Sequence, residues 1–142
     1  VYSELLDESV NILSVADLMN ENLTEQGISV KQESVCFHSS CHTTNYIRDD
    51  EKVLNLLKKQ GFLEIQKQTG CCGFAGLFSF LFEKQSMDIL REKVLEYEKK
   101  DMIITSCPNC IVQFKFAMKD KKIFHYIEVI EKSYLKGEKN AG

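Results

Sequence analysis

Two adjacent cysteines between glycines stand in the middle of this sequence, in the stretch Gly70-Cys71-Cys72-Gly73-Phe74-Ala75-Gly76. Side chains of neighbouring residues diverge in a regular helix or strand, so one metal ion is not easily held by both sulfurs there. A glycine-rich loop can turn both sulfurs toward one place, because glycine tolerates positive φ and a close approach of the backbone. The stretch therefore predicts a loop that presents two thiols to one site.

The other four cysteines lie in pairs on either side of this loop. Cys36 and Cys41 precede it, and Cys107 and Cys110 follow it. The second pair is a C-x-x-C at a predicted helix start, with proline in the first turn, where its missing N–H costs nothing. Such a pair can chelate zinc or iron, or act as a redox dithiol as in thioredoxin-like proteins. Together with the double cysteine, it favours a metal or cluster site.

Composition places the chain among ordinary globular domains. It has 142 residues, of which 44% are apolar and 27% charged. This composition is ordinary for a globular domain, and the length is sufficient to bury a core without disulfides. The net charge of −3, with no basic cluster, argues against a nucleic-acid surface. No secretion signal is present, and no apolar run approaches the roughly 20 residues of a membrane span. We therefore expect a cytoplasmic protein with reduced thiols, and a disulfide framework is the less favoured alternative.

Short apolar runs alternate with helical patterns along the chain. Strands are expected at about 34–38, 62–65, 102–105 and 123–125. Helices are expected at 1–27 with a break near 11–14, at 49–61, from 77 to 82 as a buried segment, at 87–97 after a Ser86 cap, at 108–119 and at 126–136. This alternation predicts an α/β domain with a mostly parallel sheet flanked by helices. Each cysteine loop follows a predicted strand, so the loops should meet at the carboxyl ends of the strands, where ligands gather.

The combined cysteine pattern resembles that of a known family. From Cys41 the sequence runs through 29 residues to Cys71–Cys72, and through another 34 to Cys107-x-x-Cys110. With the segments His-Ser-Ser-Cys-His at 38–42 and Cys-Gly-Phe-Ala-Gly at 72–76, it resembles the cysteine-rich (CCG) domain. That domain occurs in heterodisulfide reductase and in iron–sulfur subunits of glycolate, lactate and anaerobic glycerol-3-phosphate oxidoreductases. The first gap is slightly shorter than is usual in the family.

The resemblance implies a set of ligands and a set of residues that support them. The ligands would be Cys41, Cys71, Cys72, Cys107 and Cys110. The residues that orient or shape their loops would be His38, His42, Gly73, Gly76 and Pro108. In one branch of the family the cysteines hold a non-cubane [4Fe–4S] cluster, and some relatives bind zinc instead. Thiolate-rich sites suit both, so the spacing leaves this choice open.

Other features near the motif are interpreted as structural. Cys36 is expected to be a small buried residue, and His125 a histidine satisfied at a strand end. The phenylalanine cluster is expected in the core, with a wall of the site or a partner interface as alternatives. It consists of Phe74, Phe78, Phe80 and Phe82.

The resemblance also implies a division of the chain. Residues 1–32 are interpreted as the helical end of a preceding half-domain, 33–136 as the CCG domain and 137–142 as a disordered tail. Because the sequence begins with Val1 rather than methionine, we expect it to be the C-terminal part of a longer subunit.

Three functions are consistent with this interpretation. The first is an iron–sulfur electron-transfer module, part of a flavin-linked oxidoreductase that acts on a small 2-hydroxy acid. FAD and cubane clusters would then lie on partner domains or subunits, and the complex could be peripheral at the inner membrane. The second is reduction of a disulfide or heterodisulfide at the cluster. The third is a zinc-stapled interaction module, in which one of the five cysteines would be dispensable because zinc takes four ligands.

Overall fold

The computed structural model of the chain describes residues 13–23 and 34–140. In chain order its elements are α1 (Val15–Asn22), β1 (Val35–Ser40), a π-helical turn (Thr43–Ile47), α2 (Asp50–Lys59), β2 (Ile65–Gly70), α3 (Phe78–Leu81), α4 (Glu83–Tyr97), β3 (Met102–Thr105), α5 (Pro108–Ala117), β4 (Lys122–His125) and α6 (Tyr126–Asn140). No helix in these ranges is both long and apolar enough to cross a membrane.

The four strands form one parallel sheet in the order β2-β1-β3-β4. Ser40 at the end of β1 lies opposite Gly70 at the end of β2, and His38 lies opposite Thr105 at the end of β3. The loops after β1, β2 and β3 therefore leave the sheet at one edge. This confirms the predicted α/β fold and the position of the cysteine loops.

Side chains of β1 alternate between two cores, one on each face of the sheet. Val35 and Phe37 pack with residues of α1, α2 and α6. Cys36 lies on the other face, in a core built largely from α4 and α5. A strand buried on both faces is expected at the centre of a parallel sheet. This second core lies beneath the cysteine loops.

The predicted strand at 62–65 is wrong, because β2 covers Ile65–Gly70 instead. Phe62 is buried, but Leu63 is 82% exposed and neither belongs to the strand. β2 is an edge strand whose residues are exposed or half-buried. Its backbone pairing with β1 tolerates the polar run at 66–69, which carries no apolar signal in the sequence.

The segment 77–82 is not the buried helix that we predicted. It contains only the short α3, none of whose residues is buried, and Phe80 is 80% exposed. The expectation that Phe80 and Phe82 lie in the core is therefore wrong, whereas Phe74 packs against the second core. Continuous apolar runs do not distinguish a core segment from an exposed apolar surface.

Ser86 does not cap a helix, because α4 already begins at Glu83. α1 does begin close to the predicted break, where Ser14 and Asp17 form a reciprocal capping box. The rest of the predicted helix 1–27 lies in residues 1–12 and 24–27, outside the described residues. α6 continues to Asn140, four residues past its predicted end.

Candidate metal centre

Five cysteines meet at the carboxyl edge of the sheet. Cys110 Sγ donates to Cys72 Sγ at 3.1 Å. Cys110 is also close enough to Cys107, and Cys71 to Cys41, to shift the pKa of that neighbouring thiol. These contacts connect the loops after β1, β2 and β3, so the structure brings together all five cysteines that the sequence pattern singled out. Their role as ligands stays a prediction.

The site is closed toward the sheet and open on one side. Cys72 and Cys110 are 4% and 2% exposed, Cys71 and Cys107 are half-buried, and Cys41 is exposed. The two buried cysteines belong to the second core. A group bound here would be shielded from water below and accessible beside Cys41.

Cys107 is poised to be a thiolate. The neighbouring Cys110 thiol, with the backbone N–H groups of Cys110 and Asn109 and the Ser40 side chain, lowers the pKa of Cys107 to about 5. These N–H groups belong to the first turn of α5, where anions are stabilised. Pro108 occupies the first position of that helix, as predicted. Cys110 is the opposite case, since the neighbouring sulfurs of Cys107 and Cys72 raise the pKa of its thiol.

Cys36 stands apart from this group. It is fully buried in the second core. Burial raises the pKa of its thiol to about 11, so it stays protonated. These observations agree with its interpretation as a small buried residue.

Gly73 gives the double-cysteine loop its shape. Its φ is +85°, and its N–H donates to Cys71 Sγ at 3.3 Å. A Cβ at this position would lie 2.5 Å from the backbone oxygen of Ser86. Gly76 also has positive φ, +46°, but a Cβ there would meet nothing within 4 Å. The two glycines thus carry different constraints, although the sequence pattern treats them alike.

Ser86 fastens the loop to α4 and was missed as a site residue. Its Oγ donates to Gly73 O at 2.9 Å in a buried contact. From sequence alone, serine before an apolar stripe indicates a helix cap. One signal in the sequence could have identified Ser86 as a buried residue of α4. It lies one turn before Leu90, on the buried side of the same helix.

We predict that Ser86→Ala destabilises the protein by about 1–3 kcal/mol, because Gly73 O would stay buried without its donor. Urea unfolding of the two proteins measures the difference. Ser79→Ala is the matched control, since Ser79 Oγ donates to Gly76 O at 3.1 Å in an exposed contact. Equal effects of the two substitutions would contradict the fastening role of Ser86.

The histidines predicted to support the site occupy different environments. His42 is exposed, and its ring lies 5.3 Å from that of Tyr46. His125 is satisfied structurally: its Nδ1 accepts from Ile127 N–H and its Nε2 lies 3.0 Å from Ser106 O. This agrees with the interpretation of His125 as a structural histidine. Its contact with Ser106 O also holds the residue before Cys107 in position.

His38 is fully buried on the α4–α5 side of β1. Its Nδ1 lies 2.6 Å from Tyr97 Oη, and its ring packs edge-on against Phe114 at 4.8 Å between centroids. Burial lowers its pKa to about 4, so the ring is neutral. It therefore packs into the core below the site, and its role in orienting the Cys41 loop stays a prediction.

This burial predicts a pH dependence of stability. The unfolded chain protonates His38 near pH 6.5, whereas the folded chain does so only near 4. The stability that depends on neutral His38 is therefore fully present above about pH 6.5. As the pH falls toward 4, the free energy of unfolding decreases by up to about 1.4 kcal/mol per pH unit. Urea unfolding of the metal-free protein and of His38→Gln at several pH values isolates this slope, because Cys107 titrates in both. The same slope in both proteins would refute the assignment.

The donor set fits an iron–sulfur group better than one zinc ion. Five thiols converge from three loops, and a tetrahedral zinc ion would leave one unused. Among the described residues, no three Cys, His, Asp or Glu side chains are arranged to hold a single metal ion, a finding that favours neither group. Adjacent Cys71 and Cys72 have different neighbours, since Cys71 lies beside Cys41 and Cys72 accepts from Cys110, which suits ligands of separate irons. Thiolates are the usual ligands of such clusters.

Several curated proteins are similar to this chain. The probable glycolate oxidase iron-sulfur subunit of Bacillus subtilis is 29% identical over 89 residues, which are 59% of this chain and 20% of that protein. Lactate utilization protein A of Oceanobacillus iheyensis is 28% identical over 136 residues, 89% of this chain and 52% of that protein. A fumarate reductase (CoM/CoB) subunit of Methanothermobacter marburgensis is 24% identical over 136 residues, 88% of this chain and 28% of that protein.

The chain thus spans between about a fifth and about half of the length of these relatives. No solved structure gives a significant match. A family model described as "Cysteine-rich domain" (CCG) matches residues 35–115, which is more than half of the chain. The match begins with β1, ends within α5 and contains all five clustered cysteines. The chain belongs to the cysteine-rich (CCG) domain family.

Proposed function

We propose that this chain is the iron–sulfur electron-transfer part of a flavin-linked oxidoreductase that acts on a small 2-hydroxy acid of the glycolate or lactate type. The observation that carries the proposal is the convergence of five cysteines from three strand-end loops, where Cys110 Sγ donates to Cys72 Sγ and where Cys107 and Cys41 each lie beside another cysteine of the group. Relatives named as a glycolate oxidase iron-sulfur subunit and as lactate utilization protein A support the substrate class.

Cys41, Cys71, Cys72, Cys107 and Cys110 would hold the cluster, which is a [4Fe–4S] group in this proposal. When bound, it supplies one-electron transfer at a potential set by its ligands, hydrogen bonds and burial. The chain's own residues exclude water below the site and leave the side at Cys41 accessible. Electrons would pass there between this chain and the FAD or cubane clusters of partner domains or subunits in the cytoplasm.

The experiment uses the full-length subunit with its co-purifying partners, isolated anaerobically. Addition of glycolate or lactate should bleach the visible iron–sulfur absorption, because electrons from the substrate reduce the cluster. Cys41→Ser is the variant of interest, since it alters the accessible side, and it should reduce both the absorption and the bleaching. An iron-loaded complex that neither acid reduces, but that a chemical reductant does, would refute the substrate class.

Reduction of a heterodisulfide at the cluster is the second candidate. The exposed position of Cys41 leaves room on one side for a sulfur substrate, and one relative is named as a subunit of fumarate reductase (CoM/CoB). In this case a mixed disulfide should take up two electrons from two reduced clusters and two protons from water, so that the protein is reoxidised and two thiols are released. Reoxidation by a quinone but not by the disulfide would favour the first candidate.

A further inference from the structure

One buried polar group below the site has no partner. His38 is fully buried, and its Nε2 makes no hydrogen bond within the described part of the chain. An unpaired buried donor or acceptor costs about 1–3 kcal/mol. Such a group calls for an explanation at a site that binds something else.

The contact with Tyr97 indicates which nitrogen carries the hydrogen. In the described structure the only partner of Tyr97 Oη is His38 Nδ1, at 2.6 Å. If Nδ1 donated, both the tyrosine hydrogen and Nε2 would be left unpaired. If the tyrosine donates, only one group is unpaired, and that group is Nε2–H. The second arrangement leaves fewer buried groups unsatisfied, so we assign His38 as the Nε2–H tautomer.

The neighbours of His38 place that donor in the same core as the buried thiols. Its ring contacts Tyr97 and Phe114, which share one core with Cys72 and Cys110. Cys110 is one helical turn before Phe114 on α5, toward the carboxyl edge of the sheet. Tyr97 is close enough to Cys110 and Cys72 for their charges to act on it. The two nitrogens of an imidazole diverge, so Nε2 faces away from Tyr97.

The buried thiols need a donor once metal is bound. Without metal, the Cys110 thiol itself donates to Cys72 Sγ. Metal ligation removes thiol protons, so this hydrogen bond is lost and a buried thiolate pair, 4% and 2% exposed, remains. A fixed N–H donor in the same core would compensate for that loss.

We infer that His38 is a positioning residue that donates its Nε2–H to a sulfur of the Cys72–Cys110 pair in the cluster-bound protein. The inference rests on the proposed function, because it requires the iron–sulfur group. The hydrogen bond stabilises the reduced cluster more than the oxidised one, since reduction adds negative charge to the sulfurs. His38 thereby raises the reduction potential, while Tyr97 holds its ring in the donating tautomer.

The test is an anaerobic redox titration of the iron-loaded protein. In the double variant His38→Leu/Tyr97→Phe both partners become apolar, which avoids a new unpaired group. At a fixed potential we expect its ratio of reduced to oxidised cluster to fall about tenfold, equivalent to about 1.4 kcal/mol. His38→Gln keeps an N–H donor, so its ratio of reduced to oxidised cluster should return most of the way to the wild-type value. Cys36→Ala, on the same face of β1, should leave it unchanged.

A second measurement applies even if the double variant does not fold. These 142 residues contain three histidines, so in a His42→Gln/His125→Gln variant of this domain, expressed alone and labelled with ¹⁵N-histidine, His38 is the only labelled histidine of the domain. Pulsed electron paramagnetic resonance of the reduced protein should show a weak ¹⁵N coupling to the cluster. Iron-loaded protein with no coupling, or with an unchanged ratio in the double variant, would overturn the role of His38 alone. Wild-type protein free of iron would overturn the proposed function as well.

Discussion

Serine in place of Cys72 or Cys110 is expected to lower the iron content of anaerobically purified protein at least about tenfold, because each variant loses a buried sulfur ligand of the cluster. Both residues are buried in the second core, and Cys107 packs against it. Serine at Cys41, Cys71 and Cys107 should also lower iron content, and iron and sulfide assays measure each loss.

The matched control is Cys36→Ala. Cys36 is buried like Cys72 and Cys110 but stands outside the thiol contacts, so its variant should keep the iron content of the wild type. A result in which one of the five serine variants binds metal at full stoichiometry would contradict a five-cysteine cluster. It would instead support zinc held by four ligands.

Gly73→Ala is expected to have the second largest effect. At φ +85° an alanine is strained by about 1–2 kcal/mol, and its Cβ would lie 2.5 Å from Ser86 O, a backbone atom of α4. The loop cannot keep its path without moving α4 or losing the Ser86 contact. We therefore expect a total destabilisation of roughly 3 kcal/mol or more and a protein that does not retain iron.

Gly76→Ala separates the cost of backbone strain from the cost of the steric clash with α4. At φ +46° it carries the backbone strain, but its Cβ would meet nothing within 4 Å, so a loss of only about 1–2 kcal/mol is expected. Denaturant unfolding and iron analysis of both variants provide the comparison. Equal losses would show that the close packing of Gly73 on α4 is not what shapes the loop.

The position of the site was predictable because it depends on topology. Cys41 and Cys71 directly follow the paired strand ends Ser40 and Gly70, and the sequence alternation already required parallel strands. Parallel strands end at one edge, so the loops had to meet. The cysteines of the loop after β3 follow the same rule.

The elements that were predicted wrongly depend on tertiary contacts that cannot be inferred from the sequence. β2 is polar because it is an edge strand, and only its pairing partner identifies it. The apolar run at 77–82 is mostly exposed, although its composition is that of a core segment. An apolar run shows that burial of the segment is favourable, but the sequence does not identify the surface that packs against it.

The roles of two polar residues were hidden for a similar reason. Ser86 lies 13 positions from Gly73, and His38 lies 59 positions from Tyr97. Each residue type has a common local use, as a helix cap or a loop support, which sequence reasoning favours. Their actual partners come from α4 packing on the sheet, so only the folded structure reveals them.

The most direct test is the metal content of protein produced and purified without oxygen. Iron and inorganic sulfide should be present at roughly four of each per chain, and Mössbauer spectra should show irons in thiolate and sulfide coordination. The protein should be coloured, and a reductant should bleach it. Colourless protein with one zinc per chain and no iron, obtained under the same conditions, would contradict the assignment of this site as an iron–sulfur centre.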